Sequence, residues 1–179
     1  MSELPSTINQ TASEHGEDST DLAAQENWRA LRFQAAGCRL AASIEGVVEL
    51  IKLPVYTRLP NVQPWLLGVS NIRGHLVPLF DLSLFFCRQS RAIENQRRLL
   101  IIEHNTQLTG LVVDKFEGMR DCTDAQEPSP QSELPVAMQA FVSGQVKSEG
   151  MLWHRFDAER LLNHAAFTEV SVYNEIINE

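Results

Sequence analysis

Cysteine is scarce in this chain. Cys38, Cys87 and Cys122 are the only three among 179 residues, they stand far apart, and no CxxC pair occurs. An odd number of widely spaced cysteines argues against a disulfide framework. In a cytosolic protein such cysteines are most simply reduced thiols.

Long apolar runs are missing as well. A membrane-spanning helix needs roughly 20 consecutive apolar residues. The most apolar stretch, residues 65–86, is interrupted by polar, charged and proline residues: Asn71, Arg73, His75, Pro78 and Asp81. The N-terminus also has neither the basic region nor the apolar core of a signal peptide, so we expect a cytoplasmic protein.

Positive charge is absent from the first 27 residues. This leader holds six acidic residues and no lysine or arginine, so it carries most of the net charge of −8, and the rest of the chain is nearly neutral. Without clustered lysine and arginine, nucleic-acid binding is not expected. Low hydrophobicity with net charge favours a disordered leader over residues 1–27, with a regulatory arm as the alternative.

The usual signatures of catalysis are also missing. The sequence contains no GxSxG, Walker loop, GxGxxG or HExxH pattern, and its five histidines are scattered. No metal site, cofactor or catalytic residue is therefore predicted. Asp81 and Asp114 each follow an apolar strand, where they could form an acid/base pair if they met in a pocket. For Asp81 we favour capping of a short helix, because LSLFF follows it.

What the sequence does contain is a series of short apolar strands separated by turn residues, which favours a mainly β protein built of barrels or sandwiches. Residues 28–34 and 38–44 read as a hairpin, and residues 88–97 and 121–135 read as loops. Further strands are predicted at 66–73, 75–82, 98–104, 106–114, 141–146 and 150–157. Helices are predicted at 157–164 and at 44–51, where apolar residues recur at i, i+3, i+4 and i+7. Pro78 cannot donate to a sheet ladder, so its strand should be edge-like or bulged.

Several segments together resemble the CheW-like domains of bacterial chemosensory coupling proteins. They are GVSNIRG followed by P and DL (68–82), EGVVELIKLPVYTRLPNVQPWLLG (45–68), LLIIEHNTQLTGLVVDKFEGM (99–119), AFVSGQVKSEGML (140–152) and DAERLL (157–162). The likeness covers residues 28–164 and leaves 165–179 as a C-terminal extension. Within the family, the chain most resembles the coupling proteins of type IV pilus (twitching motility) systems. One departure is LWHRF (152–156), where the family has a plain aliphatic strand.

This resemblance implies a fold of two small SH3-like five-stranded β-barrels around one hydrophobic core, with a few short helices. It also implies a non-enzymatic adaptor in receptor arrays at the inner membrane, touching the membrane only through the receptor. Its partners would be the cytoplasmic tip of a chemoreceptor and the regulatory domain of a CheA-type histidine kinase. The alternatives are a receptor-array protein without kinase coupling, and a small hydrolase or ligand-binding β-barrel that uses Asp81, Asp114 and His75.

The resemblance also assigns roles to particular residues. Arg73, in N-I-R-G, would bind a receptor or kinase; the alternative is an internal ion pair with a residue such as Asp81 or Glu103. Val47 would face an apolar receptor groove, although spacing alone makes it a core residue, and Phe116 and Met119 would form the other wall. Gly68 and Gly110 would be needed for the backbone geometry of their strands and not for contact with a partner. The remaining signature positions are Asn71, Gly74, Pro78, Asp81 and Asp114.

Overall fold

A computed structural model describes residues 27–89, 93–125 and 134–169. The predicted leader lies outside them except for Asn27, and so does the extension beyond residue 169. The described residues form ten strands: β1 Trp28–Ala35, β2 Cys38–Ser43, β3 Val47–Lys52, β4 Leu66–Ile72, β5 His75–Asp81, β6 Arg98–His104, β7 Gln107–Val113, β8 Lys115–Asp124, β9 Val142–Ser148 and β10 Met151–Phe156. Four short α-helices and one 3₁₀ turn complete them: α1 Leu82–Cys87, α2 Val136–Gln139, α3 Ala158–Leu162, α4 Ala165–Thr168 and the turn Glu94–Gln96.

The strands form two five-stranded units, which confirms the predicted fold class. One is a closed barrel in the order β1-β2-β10-β9-β8, and the other is a sheet in the order β3-β6-β7-β5-β4. The chain leaves the barrel after β2, builds the second sheet, and returns at β8. Among the described residues, no helix has the length and hydropathy needed to cross a bilayer.

The largest apolar cluster lies between the two units. Leu31 and Phe33 contribute from the barrel, and Phe80 and Leu100 contribute from the second sheet. Each unit also holds a smaller cluster of its own, centred on Trp153 in the barrel and on Leu79 in the sheet. Burying one large apolar side chain contributes about 1.5–3 kcal/mol, so the shared cluster binds the units into one body.

The packed body continues past residue 164, the predicted end of the domain. Asp157 accepts a hydrogen bond from the Arg160 amide at 2.8 Å and caps α3, so the predicted helix with an aspartate start is confirmed. In α4, Phe167 is 1% exposed, and its ring centroid lies 4.6 Å from that of Phe80. Part of the predicted C-terminal extension therefore belongs to the core.

The predicted helix at 44–51 is wrong, because Val47–Lys52 is strand β3. Val47 pairs with Ile102 and Glu49 with Ile101, so Val48 is an extra, bulged residue that is 55% exposed. The bulge interrupts the strict alternation of a strand. Because of the extra residue, the apolar side chains of Val47, Val48 and Ile51 are spaced by three and four residues, which is the spacing typical of a helix.

Two other expectations need correction. The strand that contains Pro78 is not at an edge, because β5 lies between β7 and β4. The pairing of β5 with β7 begins only at Leu79, so the missing N–H of Pro78 interrupts no hydrogen bond between these two strands. The bulge is on the neighbouring strand β4, at Leu67. The predicted loop at 121–135 begins as the end of β8, and residues 126–133 lie outside the described part.

Candidate functional site

The apolar stretch that contains Arg73 turns a corner at this residue. Arg73 and Gly74 form the two-residue loop between β4 and β5, with φ of 51° and 87°. Positive φ at both central residues is the geometry that joins twisted antiparallel strands in a tight hairpin. The Gly74 amide donates to Asn71 Oδ1 at 2.9 Å, which stabilises the turn. The N-I-R-G residues therefore build an exposed hairpin tip.

The turn holds the Arg73 guanidinium at the surface. Its side chain is 78% exposed, and Nη2 donates to Glu49 Oε1 on β3 at 2.6 Å. Arg73 therefore does form an ion pair within the chain, as the alternative expected, but its partner is Glu49 and neither of the two residues suggested, since Asp81 pairs with Arg97 and Glu103 is exposed on β6. A guanidinium has five N–H donors in a fixed fork. One contact with Glu49 leaves donors that can reach a carboxylate or carbonyl of another protein.

The predicted apolar contacts come from both units. Val47 lies on β3 and Phe116 on β8; both are partly buried and pack against the shared core cluster. Met119, further along β8, is 46% exposed. Val47 and Arg73 thus belong to the second sheet, whereas Phe116 and Met119 belong to the barrel. A groove between these two pairs stays a prediction.

The two glycines assigned to backbone geometry are closely approached. A Cβ on Gly68 would lie 2.1 Å from the Thr57 carbonyl oxygen, and its φ is +147°. A Cβ on Gly110 would lie 2.7 Å from Leu99 Cδ1 and 2.8 Å from Leu79 Cδ2. At Gly68 the neighbour is rigid backbone, whereas at Gly110 the nearest neighbours are side-chain methyl groups.

The carboxylate of Asp81 performs the predicted capping. Asp81 is 1% exposed, and Oδ1 accepts from the Leu84 amide at 2.9 Å at the start of α1. Its other oxygen pairs with Arg97, whose side chain is 12% exposed. This ion pair fixes the segment before β6 against the end of β5.

Asp114 connects the barrel to the second sheet. Its carboxylate accepts from the Ser83 hydroxyl at 2.8 Å and from the Ala36 amide at 3.0 Å, and the Ala36 amide also donates to Ser83 Oγ at 2.7 Å. The Asp114 amide donates in turn to the Gln34 carbonyl at 2.8 Å. The Asp114 carboxylate, the Asp114 amide and the Ser83 hydroxyl therefore link the β1 end and the β1–β2 turn to α1 and to the end of β7.

Burial raises the pKa of Asp114, and the nearby Asp81 charge raises it further, against the opposing effect of the Ser83 hydrogen bond. A raised pKa in the folded state means that the protonated form is favoured by folding. This contribution to stability is complete below the ordinary value of 3.8 and is lost as pH rises through the folded-state value.

We therefore expect Asp114→Asn to change the pH dependence of stability. The free energy of unfolding of the wild type, relative to the variant, should fall as pH rises from below 4 toward neutrality, since asparagine keeps an acceptor but cannot ionise. Urea unfolding of both proteins at a series of pH values measures this difference. If the free energy of unfolding of the wild type relative to the variant stayed constant or rose with pH, the ionised form of Asp114 would not be disfavoured in the folded protein.

The residues of the alternative catalytic site do not assemble into one pocket. His75 opens β5 and is exposed, whereas Asp81 ends the same strand, about 20 Å away at roughly 3.3 Å per residue. A cavity of about 430 Å³ reaches Asp114 and Lys115, and neither His75 nor Asp81 lines it. Among the described residues, no group of three histidine, cysteine or acidic residues could hold a metal ion.

Arg32 is a buried arginine in the barrel whose role the sequence pattern did not predict. The Arg32 side chain is 4% exposed, donates to Glu149 Oε2 at 2.7 Å, and lies 4.8 Å over the ring of Trp153. Arg120 also bonds Glu149 at 3.0 Å, and the hydrogen bonds from the two arginines lower the pKa of this exposed carboxyl. The alternation of a strand puts Arg32 on the same face as Trp28 and Ala30, but its partner Glu149, in the β9–β10 turn, is 117 residues away, so no local pattern could identify the pair.

Comparison with known proteins gives a consistent result. Residues 29–166 match the CheW-like domain family. The chain is 33% identical over 149 residues to Protein PilI of Pseudomonas aeruginosa, covering 83% of each chain, and 26% identical over 131 residues to Chemotaxis protein CheW of Bacillus subtilis, covering 73% of this chain and 84% of that one. The scaffolding protein TtCheW of Thermoanaerobacter tengcongensis has a similar structure, with a TM-score of 0.62, 22% identity, and 88% and 94% of the two chains covered.

Proposed function

This chain belongs to the CheW-like domain family, and on that basis we propose that it is a non-enzymatic adaptor joining a membrane chemoreceptor to a CheA-type histidine kinase. It would work in the cytoplasm, in arrays at the inner membrane, and reach the membrane only through the receptor. One surface would bind the cytoplasmic tip of the receptor, and another would bind the regulatory domain of the kinase.

The presentation of Arg73 is the observation that carries this proposal. A charged side chain in an apolar stretch costs free energy unless it is paired or exposed. Here a hairpin with two positive φ values exposes 78% of the side chain, and Glu49 orients it. A guanidinium oriented in this way suits forked hydrogen bonds to a partner carboxylate or to carbonyls at a helix end.

The receptor is proposed to bind as a helix in an apolar groove. Val47 would contribute from β3, with Phe116 and Met119 from β8, so the groove would be walled by both five-stranded units. Helix-in-groove recognition uses apolar anchors spaced three or four residues apart on the bound helix. The partly buried Val47 and Phe116 would be rigid, because they are packed on the core.

The adaptor would control the kinase by binding unequally to the partners' signalling states. A protein with equal affinity for two states shifts neither. Each contact would be modest in area, and many copies in an array would supply the avidity.

Control of type IV pilus motility is the pathway we propose. The 33% identical relative that spans 83% of this chain is named PilI, whereas the relative named CheW in Bacillus subtilis is 26% identical over 73% of this chain. These figures favour the pilus branch over flagellar chemotaxis.

Calorimetric titration of the full chain tests the proposal. The partners are the kinase regulatory domain and, separately, tip fragments of a pilus-linked and a flagellar receptor. Binding to the kinase domain and to the pilus-linked tip is expected. Binding to receptor alone would support an array protein without kinase coupling, binding only to the flagellar tip would reject the pilus pathway, and binding to neither partner would reject the adaptor.

Met119→Glu should weaken receptor binding by about 1–2 kcal/mol, roughly tenfold, because it places a charge in an apolar wall. Stability should change by less than about 0.5 kcal/mol, since the side chain is 46% exposed. Met151→Glu is the matched control, because Met151 is 41% exposed on another strand of the same barrel. If the two variants bound the receptor tip with equal affinity, Met119 would not be part of the receptor-binding groove.

A further inference from the structure

The edge of β8 that faces β9 is paired over a short length. In the part of the chain that the structure describes, β8 forms a ladder with β9 only at Thr123 and Asp124. The residues before them, from Lys115 onward, pair with β1 on the other side of the strand. This segment contains Phe116 and Met119, which would form one wall of the proposed groove. A strand held by one neighbour opens more readily than a strand held by two, so side-chain contacts matter more here.

The same segment of β8 is irregular. Phe116 and Gly118 face successive residues of β1, so Glu117 is an extra, bulged residue. Gly118 has a φ of +104°, in the region that favours glycine. A bulge bends its strand and increases the local twist. The ladder with β1 alone therefore does not fix the direction of Met119, which follows the bulge.

Three charged side chains connect this edge of β8 to the β9–β10 turn. Glu149, in that turn, accepts from Arg120 Nε at 3.0 Å and from Arg32 Nη2 at 2.7 Å. Arg120 Nη1 also donates to the Met119 carbonyl at 2.8 Å. We call Arg32, Glu149 and Arg120 the β8 clasp. Through Arg120, the clasp joins the backbone of the groove wall to the turn.

The inner end of the clasp is packed inside the barrel. The Arg32 side chain is 4% exposed, and its guanidinium lies 4.8 Å over the ring of the buried Trp153. Arg32 Nη1 donates to Ser148 Oγ at 3.2 Å, and this hydroxyl donates to the Asp121 carbonyl at 3.0 Å. A buried network in which the charged groups are paired is rigid, so Arg32 holds Glu149 in one place.

We infer that Arg120 and Glu149 are positioning residues for the receptor groove, because the clasp holds the unpaired edge of β8 and so sets the position of Met119. The inference rests on the proposed function, of which the groove is a part. Neither residue has to touch the receptor in this role. A movement of the β9–β10 turn would reach the groove wall through the same contacts.

Arg120→Met tests the inference, because it removes the link to Glu149 and keeps an apolar side chain. The Arg120 side chain is 53% exposed, and exposed ion pairs contribute little to stability, so urea unfolding should hardly change. Amide hydrogen exchange over residues 116–121 should become faster by about threefold or more, because the segment opens more often. Affinity for the receptor tip should fall roughly three- to tenfold, and affinity for the kinase regulatory domain should stay the same.

Arg155→Met is the matched control. Arg155 is 46% exposed in the same barrel and pairs with Asp124 of β8 at 3.2 Å, where the ladder with β9 is present. The backbone of β8 is therefore already held at this point. The control should change neither the exchange over residues 116–121 nor the two affinities.

Two further variants separate position from charge. Arg120→Lys keeps the charge, but an ammonium lacks the fixed fork that reaches a carbonyl and a carboxylate together, so it should also bind the receptor tip more weakly than the wild type. Unchanged affinity of Arg120→Lys would show that charge alone matters and would overturn the inference. Glu149→Gln should reproduce the faster exchange and also lower the overall stability, because it leaves the buried Arg32 without a carboxylate.

The exchange and binding measurements together decide the result. Unchanged exchange over residues 116–121 in Arg120→Met would overturn the inference, and a fall in receptor affinity would then mean that Arg120 contacts the receptor directly. Faster exchange with unchanged receptor affinity would also overturn it, because the position of Met119 would not matter for binding. If the wild type itself did not bind the receptor tip, the proposed function and the groove role would both fail. The exchange measurement needs no partner, so it would still show whether the clasp holds β8.

Discussion

Arg73→Glu is expected to abolish binding to one proposed partner and leave the fold intact. Reversing a charge that pairs with a desolvated partner group costs about 2–5 kcal/mol of binding free energy, which is roughly 30-fold or more in affinity. The only ion pair it breaks within the described residues is Arg73–Glu49, whose side chains are 78% and 24% exposed. Exposed pairs contribute less than about 1 kcal/mol, so stability should hardly change. Titration against the receptor tip and the kinase regulatory domain, with circular dichroism in parallel, measures both effects.

Two controls sharpen this experiment. Arg39→Glu makes the same charge change at an exposed position of β2 in the barrel, so it should leave both affinities unchanged. The double variant Arg73→Glu/Glu49→Arg restores an ion pair with reversed direction; it should keep the fold and still fail to bind. Unchanged affinity of Arg73→Glu for both partners would refute a binding role. Loss of the folded circular dichroism signal would show that Arg73 is required for the fold.

The strand pattern was predictable wherever side chains obey a local rule. Leu99–Ile102 forms a continuous β-prone run, and all four residues are at most 6% exposed, as expected for a strand covered on both faces. The hairpins β6–β7 and β9–β10 followed from turn residues between apolar runs. The prediction failed at β3, because the bulge at Val48 is set by pairing with β6, some 50 residues further along the chain.

The candidate site shows the same division. The position of the turn at Arg73 could be predicted, because Gly74 permits positive φ next to it. The pairing of Arg73 with Glu49 could not, since it depends on how β3 and the β4–β5 hairpin are arranged in the folded sheet. The link from Asp114 to Ala36 spans 78 residues and joins two units, so no sequence window contains both ends.

Gly68→Ala is expected to be the most destabilising of the proposed substitutions, at about 3 kcal/mol or more. The new methyl group would lie 2.1 Å from the Thr57 carbonyl oxygen and 2.7 Å from its carbon. Thr57 and Val69 exchange two backbone hydrogen bonds, of 2.8 and 2.9 Å, beside this glycine. The clash therefore requires backbone to move and this bridge to open, and the φ of +147° adds strain for any residue with a side chain. Urea unfolding measures the loss.

A graded series of glycine substitutions decides whether close approach is the cause. Gly110→Ala should cost less than Gly68→Ala, because the Leu99 and Leu79 methyl groups can rotate away, although the Pro78 oxygen at 3.2 Å cannot. Gly144→Ala meets nothing within 4 Å and should change stability by less than about 1 kcal/mol in either direction. If Gly110→Ala cost more than Gly68→Ala, side-chain crowding in the second sheet would be the tighter constraint. Gly68 would then be required only for the backbone conformation of β4 at this position, where φ is +147°.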